Sequence, residues 1–301
     1  MMDKRTLNKF TQIHQTLLLR FAIVMAIYTV SRVLFYLINA DLFSETTYKG
    51  LLIIMGGGIR FDLSALLFIN ALYILSQLIP FRFRYKIIYQ KITNYFFLVT
   101  NSVFVAINTG DIIYYRFIFK RTTGSVIDNF AQETNLGKLF FRFIFIDYWY
   151  LTILFIALVW LMSWLFKKTY VVKPGVQKRW IYYPVQSILM LMLVYFSIIG
   201  MRGGFTGTTR PITLNNAGRY VERPKEMALV LNTPFSIFKT FGKQTFNKVD
   251  YLNDKDLDRI YTPIHRPNPG ESFKNKNVVI FIIESLGKEY IGALNNDSDS
   301  S

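Results

Sequence analysis

Residues 148–166 read YWYLTILFIALVWLMSWLF and contain no charged side chain. A helix that crosses a bilayer needs about 20 predominantly apolar residues, and this run has that length and character. The composition of the whole chain agrees, since 52% of its residues are hydrophobic and only 18% are charged. Four further runs are long enough to span a membrane: Thr16 to Ile38, Leu51 to Ile79, Tyr95 to Ile113, and Ile181 to Ile199. The sequence therefore predicts an all-α membrane domain of five transmembrane helices over residues 1–200.

The distribution of basic residues predicts an orientation for these helices. The net charge is +16, but the basic residues lie mostly in short segments between apolar runs, which argues against a nucleic-acid partner. The N-terminus and the second and fourth connections are rich in Lys and Arg, as at residues 82–91 and 167–179. By the positive-inside rule, the N-terminus is cytoplasmic and everything after Gly200 is extracytoplasmic. We therefore expect a multi-pass protein of the plasma (inner) membrane, with an uncleaved first helix.

The connections outside the spans have a predicted organisation of their own. Residues 114–147 are rich in aromatic side chains, so we interpret them as one or two helices in the outer interface, with a re-entrant hairpin as the alternative. Residues 201–276 form an extracytoplasmic helical linker that leaves the membrane through a glycine-rich segment. Within it, residues 222–232 are predicted to be helical, a second helix runs from Pro234 to Phe241, and a third begins near Asp254.

Five charged residues fall within or beside the spans: Arg32, Arg60, Asp62, Asp111 and Arg116. A charge near the bilayer centre costs about 2.5–3.5 kcal/mol on insertion scales, so each one needs a partner or a shallow position. Because Arg60 and Asp62 do not face each other on one helix, we expect pairing across helices with Asp111 or Arg116. A spare positive charge in this cluster would hold a lipid phosphate. The alternative is a purely structural role, with Arg32 and Arg116 reaching to water.

A different signal follows the linker. Val278 to Ile283 are six consecutive apolar residues, mostly β-branched, as in a central strand buried on both faces. Glu284 comes at the carboxyl end of this run, where open α/β sheets build their sites and where a carboxylate can bind a divalent cation. The alternative is that Glu284 simply begins a loop. Residues 277–301 are therefore predicted to begin an α/β domain, with Glu284 as a candidate metal ligand.

Taken together, these features resemble the lipoteichoic acid synthase-like family, in the sulfatase branch of the alkaline phosphatase superfamily. The resemblance lies in the five spans, the segment Gly58 to Ser64, Arg210-Pro211, Asn232 to Ser236, and Asn277 to Ile280 leading to Glu284-Ser285. It covers only the amino-terminal half of that family.

The resemblance implies a sulfatase-like transferase or hydrolase that acts on phosphate or sulfate esters at the outer face of the membrane. Its expected cofactor is a divalent metal, manganese or magnesium, with Glu284 as the first ligand. Membrane lipids are the expected partners, with an anionic phospholipid headgroup as a candidate donor for phosphoglycerol or phosphoethanolamine transfer. The catalytic threonine would lie beyond Ser301, so this chain alone is not expected to be active. The competing hypothesis is a non-enzymatic membrane module, either a lipid-binding anchor or a small transporter.

Overall fold

The computed structural model describes residues 4–126, 136–169, 179–204, 210–242, 254–261, 277 and 279–281. The regular structure of these residues is helical, and no strand occurs among them. The helices are α1 (Lys4–Ile38), α2 (Tyr48–Ile69), α3 (Ala71–Leu78), α4 (Ile87–Ile118), α5 (Leu136–Arg142), α6 (Trp149–Lys167), α7 (Arg179–Arg202), α8 (Met227–Val230), α9 (Thr233–Thr240) and α10 (Asp254–Ile260). Short 3-10 helices occupy Ala40–Phe43, Arg82–Tyr85, Leu214–Tyr220 and Pro224–Glu226, and Phe143–Asp147 is a π-helix.

Five of these helices have the length and apolar character needed to cross a membrane, which confirms the predicted number. They comprise Gln12–Ile38, Tyr48–Ile69, Ile87–Ile118, Trp149–Lys167 and Arg179–Arg202. The outward faces of α6 and α7 carry exposed aliphatic and aromatic side chains, as expected for a surface in contact with lipid. Five apolar helices of this length are compatible with a multi-pass membrane protein.

The second predicted span differs from the observed structure. Leu51 to Ile79 was predicted as one apolar segment, but the chain breaks at Asn70 into α2 and α3. The Asn70 side chain donates to the carbonyl of Leu66 at 3.0 Å and exchanges hydrogen bonds of 3.1 and 2.8 Å with the amide of Asn101 on α4. The break is a change of backbone angles at Asn70 (φ −101°, ψ 16°), where Asn101 of the neighbouring helix holds the side chain.

The third connection begins later than predicted. Helix α4 continues to Ile118, so Tyr114 to Ile118 extend the third span. After Ile118 the chain reverses at Phe119, which adopts a left-handed conformation with φ of 51°. Helix α5 and the π-helix then lead to α6, in the part of the predicted interfacial segment that the structure describes.

The bundle has two hydrophobic cores, one toward each end. At the end where α1 finishes and α2 begins, Phe35, Phe61 and Ile112 pack with residues from 212–235. Toward the other end, Val24, Phe97 and Met162 belong to a second core.

A fully buried arginine closes the bundle at the end where α3 finishes. Arg84 donates from Nη1 to the carbonyls of Gln77 and Ile79, at 2.9 and 3.0 Å, and from Nη2 to Oε1 of Gln186 at 2.5 Å. Its charge therefore meets the carbonyl end of α3, where the helix dipole favours a cation. The sequence analysis counted Arg84 among the basic residues of the second connection, and the structure shows that it is buried and caps α3.

The chain divides into two units, residues 1–245 and 246–301. The described part of the second unit consists of α10 and residues 277 and 279–281. Helix α10 begins at Asp254, as predicted. Residues 277 and 279–281 adopt no regular secondary structure, and the remainder of the predicted strand, including Glu284, lies outside the described residues.

Candidate functional site

Residues 210–242, here called the docked segment, pack onto the end of the bundle formed by α1, α2 and α4. Leu229 and Val230 of this segment are completely buried, and Phe235 meets Phe61 of α2 with perpendicular rings 5.0 Å apart. The sequence predicted a helical linker here. The structure shows that this part of the linker is integrated into the membrane domain, because its apolar side chains complete one of the two cores.

The docked segment contacts a buried ion pair that joins α1 to α2. Arg32 pairs with Asp62, and their side chains are 3% and 1% exposed. The Arg32 guanidinium also donates to the backbone carbonyls of Leu229 and Val230, while Oδ1 of Asp62 accepts from the Asn232 side-chain amide at 2.6 Å. Each charge therefore holds its counter-charge and a backbone or side-chain group of the docked segment.

A second buried ion pair lies between the end of α4 and the loop that follows it. Arg121 pairs with Asp111 at 3.1 Å, with side chains 3% and 1% exposed. Nε of Arg121 donates to the carbonyl of Ala228 at 2.8 Å, and Oδ2 of Asp111 accepts from the Thr233 hydroxyl at 2.7 Å. This pair repeats the arrangement of the first: one charge binds backbone and the other binds a side chain of the docked segment.

The two ion pairs hold a stretch of extended backbone between α8 and α9. Leu231 and Asn232 are extended, with ψ of 153° and 156°. Asn232 then caps α9, because its side-chain oxygen accepts from the amide of Phe235 at 2.7 Å. Pro234 lies in the first turn of α9, where its fixed φ favours helix formation. The predicted start of this helix is thus confirmed.

The prediction for residues 222–232 was only partly correct. The structure has a short 3-10 helix, Pro224–Glu226, and one α-helical turn, Met227–Val230, in place of one continuous helix. The helix ends early because Asn232 must be extended to act as an N-cap, and because Arg32 satisfies the carbonyls released at the end of α8.

Two adjacent glycines on α2 make room for these contacts. A Cβ on Gly57 would lie 2.6 and 2.9 Å from two ring carbons of Tyr220, and a Cβ on Gly58 would lie 2.5 Å from Nε of Arg32. Real Cβ atoms do not approach other heavy atoms so closely. A Cβ on the neighbouring Gly56 would meet no atom within 4 Å. The glycine pair therefore allows Tyr220 and Arg32 to lie directly against the α2 backbone.

Exposed charges also join the docked segment to the loop between α1 and α2. Glu45 lies 3.3 Å from Nη1 of Arg223 and 3.2 Å from Nζ of Lys225. The hydrogen bond from Lys225, followed by the charge of Arg223, lowers the pKa of Glu45 below its usual value. Nearby, Thr46 donates to Glu226 at 2.9 Å. Because these ion pairs are exposed, they contribute much less to docking than the buried pairs.

Four of the five charges predicted within or beside the spans, all but Arg32, each make their own set of contacts. Asp62 and Asp111 belong to the two buried pairs just described. Arg60 donates from Nε to the carbonyl of Gly203 at 2.5 Å and from Nη1 to the hydroxyl of Tyr220 at 3.3 Å. Arg116 pairs with Asp41 at 2.7 Å. The expected pairing of Arg60 or Asp62 with Asp111 or Arg116 is thus replaced by other partners.

Sequence reasoning missed Arg121 and misplaced Arg32. Arg121 lies in the segment predicted to be interfacial, and only the chain reversal at Phe119 brings it back to Asp111. The alternative in which Arg32 reaches water is wrong for this residue, because Arg32 is buried and paired with Asp62 beneath the docked segment. An unpaired acid within an apolar span was the available signal that a buried cation must exist nearby.

The predicted metal site lies outside the part of the chain that the structure describes. Glu284 lies outside the described part of the chain, and the described residues contain no group of three or more His, Asp or Glu side chains that could hold a metal ion. Comparison with protein-family models gave no matching family, and comparisons with curated proteins and with solved structures gave no significant match.

Proposed function

We propose that this chain is the membrane-anchored amino-terminal part of a metal-dependent transferase or hydrolase of phosphate or sulfate esters. The reaction would take place at the outer face of the membrane, with phosphoglycerol or phosphoethanolamine as the transferred group. The observation that supports an anchoring role is the docked segment, which hydrogen-bonds to two buried ion pairs of the bundle.

The strength of this attachment follows from the burial of the charges. A hydrogen bond to a charged group contributes about 1.5–3 kcal/mol, and the docked segment makes several such bonds with the two pairs. Undocking residues 228–233 would expose both pairs and break the hydrogen bonds of Arg32 and Arg121 to backbone carbonyls. The docked segment therefore stays bound to the bundle, which an anchor requires and a flexible tether does not.

The chemistry rests on the resemblance described above. Glu284 would supply one carboxylate ligand to manganese or magnesium, and such an ion provides Lewis-acid stabilisation of negative charge. The described residues do not offer the remaining ligands. The contribution of this chain to the reaction is therefore to position the domain that binds the ion.

Metal binding and activity of the protein expressed from its complete reading frame test this proposal. We expect manganese to bind, as measured by isothermal titration calorimetry, and to be required for release of headgroups from phosphatidylglycerol or phosphatidylethanolamine vesicles. Glu284→Ala should abolish both properties, whereas Glu271→Ala, a nearby acid outside the predicted strand, should preserve them. Unchanged manganese affinity in Glu284→Ala, or headgroup release that persists in a chelator, would contradict the proposal.

The predicted orientation has a separate test. The chain contains no cysteine, so a single engineered cysteine in the exposed loop between α1 and α2 provides a unique label. A membrane-impermeant maleimide should react with Thr47→Cys from outside intact cells. Reaction only after the cells are opened would place the docked segment in the cytoplasm and exclude an outer-face enzyme.

A further inference from the structure

A cavity of about 430 Å³ lies where α1 and α4 end and α6 begins. This volume falls within the range of about 300–1,000 Å³ that is typical of small-molecule sites. Its lining combines aliphatic, aromatic and basic side chains: Ile38, Ile113, Arg116, Phe117, Tyr148 and Tyr150.

The cavity has the amphipathic character of the membrane interface. Ile38 and Ile113 come from the ends of two spans and offer aliphatic surface. Tyr148 and Tyr150 lie at the beginning of α6. Tyrosine is enriched where a membrane meets water. A ligand that fits this lining must present both an apolar and a polar part.

Arg116 provides the cationic group of the cavity, and its guanidinium is held in a fixed orientation. Its Nη1 and Nη2 donate to the two carboxylate oxygens of Asp41 at 3.1 and 2.7 Å, and Nη1 also donates to the carbonyl of Ile38 at 3.2 Å. A guanidinium has five N–H donors. Among the described residues, no acceptor is bonded to Nε, so the fork formed by Nε and the second hydrogen of Nη2 remains available.

That fork matches two oxygens of one phosphate group, since arginine binds phosphate through two parallel hydrogen bonds. Asp41 balances the charge of Arg116, so the cavity suits a singly charged phosphodiester better than a multiply charged anion. The aliphatic wall beside Arg116 suits the upper part of an acyl chain.

We propose that this cavity binds a membrane phospholipid, with its phosphodiester on the Nε side of Arg116 and an acyl chain against Ile38 and Ile113. The lipid is a bound component of the membrane domain and is not consumed. This inference needs only the helical bundle and is independent of the proposed enzymatic function.

Native mass spectrometry of the purified chain in detergent tests the proposal, with phosphatidylglycerol, diacylglycerol and glycerol phosphate as probes. We expect phosphatidylglycerol to bind at least tenfold more tightly than diacylglycerol, which lacks the phosphate. Arg116→Gln should weaken phosphatidylglycerol binding by about tenfold, because charged hydrogen bonds to phosphate are lost. The matched control is Arg142→Gln, which removes another exposed arginine from an aspartate ion pair outside the cavity lining and should leave binding unchanged.

A second variant separates binding from a structural effect of losing the ion pair. Asp41→Asn keeps Arg116 but removes the neighbouring negative charge, so phosphatidylglycerol should bind several-fold more tightly. If Asp41→Asn weakens binding as much as Arg116→Gln does, the cavity is not a phosphate site. Equal binding of diacylglycerol would also overturn the proposal, and displacement of the lipid by equimolar glycerol phosphate would assign the site to free phosphate instead.

Discussion

Substitution of Gly57 by alanine tests whether the docked segment depends on the glycine pair of α2. The added Cβ would lie 2.6 and 2.9 Å from two ring carbons of Tyr220, whereas carbon atoms pack best at about 3.5–4.0 Å. The ring must therefore move by roughly 1 Å. It is confined by a perpendicular contact with Phe61, at 6.3 Å between centroids, and by the hydrogen bond from Arg60.

The expected cost of this overpacking is about 1–3 kcal/mol, which corresponds to an increase of about 5- to 150-fold in the undocked population. A cysteine introduced at the fully buried Ala217 reports on that population, because the natural chain has no other thiol. In the Ala217→Cys background, Gly57→Ala should raise the rate of maleimide labelling by this factor.

Gly56→Ala provides the control for this experiment. It adds the same methyl group to the same helix one residue earlier, where no heavy atom lies within 4 Å. Its labelling rate should match that of the Ala217→Cys parent. Equal labelling of the Gly57 and Gly56 variants would refute the idea that close packing against α2 holds the docked segment.

Three further predictions concern the polar contacts of the docked segment. Asp111→Asn should lower the stability of the domain by about 3–5 kcal/mol, because it leaves the buried Arg121 guanidinium unpaired; a lower Tm in detergent would show this. The control is Asp147→Asn, in an exposed pair, which should change the stability by less than about 1 kcal/mol. Asn232→Ala should cost about 2–5 kcal/mol through loss of the α9 cap and of the hydrogen bond to Asp62, with faster hydrogen exchange in that helix. The lowered pKa of Glu45 means that its contact with Lys225 stabilises docking above pH 4.5 and is lost as the pH falls through the lowered value. The Tm of the domain in detergent should therefore fall below pH 4.5, and Glu45→Gln should make this fall smaller.

The predicted spans and the observed helices agree because length and apolar character are local properties. An uninterrupted apolar run must satisfy its backbone hydrogen bonds within itself when lipid surrounds it, and a helix does so. The start of α9 was also predictable, since Asn232 and Pro234 favour a helix start through contacts within one turn. The break at Asn70 was not predictable, because its partner Asn101 lies on another helix.

The candidate site shows the same distinction. The sequence identified Asp62 and Asp111 as acids that require partners, because an isolated carboxylate is costly within a membrane. It could not name those partners. Arg32 is 30 residues from Asp62, and Asn232 is 170 residues from it.

The sequence by itself determined that the chain forms five apolar helices and that charges within them must be compensated, since both follow from the cost of placing polar groups in hydrocarbon. Only the tertiary structure decided which groups compensate them. The chain reversal at Phe119 brings Arg121 to Asp111, and the glycine pair of α2 lets Tyr220 and Arg32 approach its backbone. Such contacts depend on how distant segments fit together in space, and no local pattern of residues records that fit.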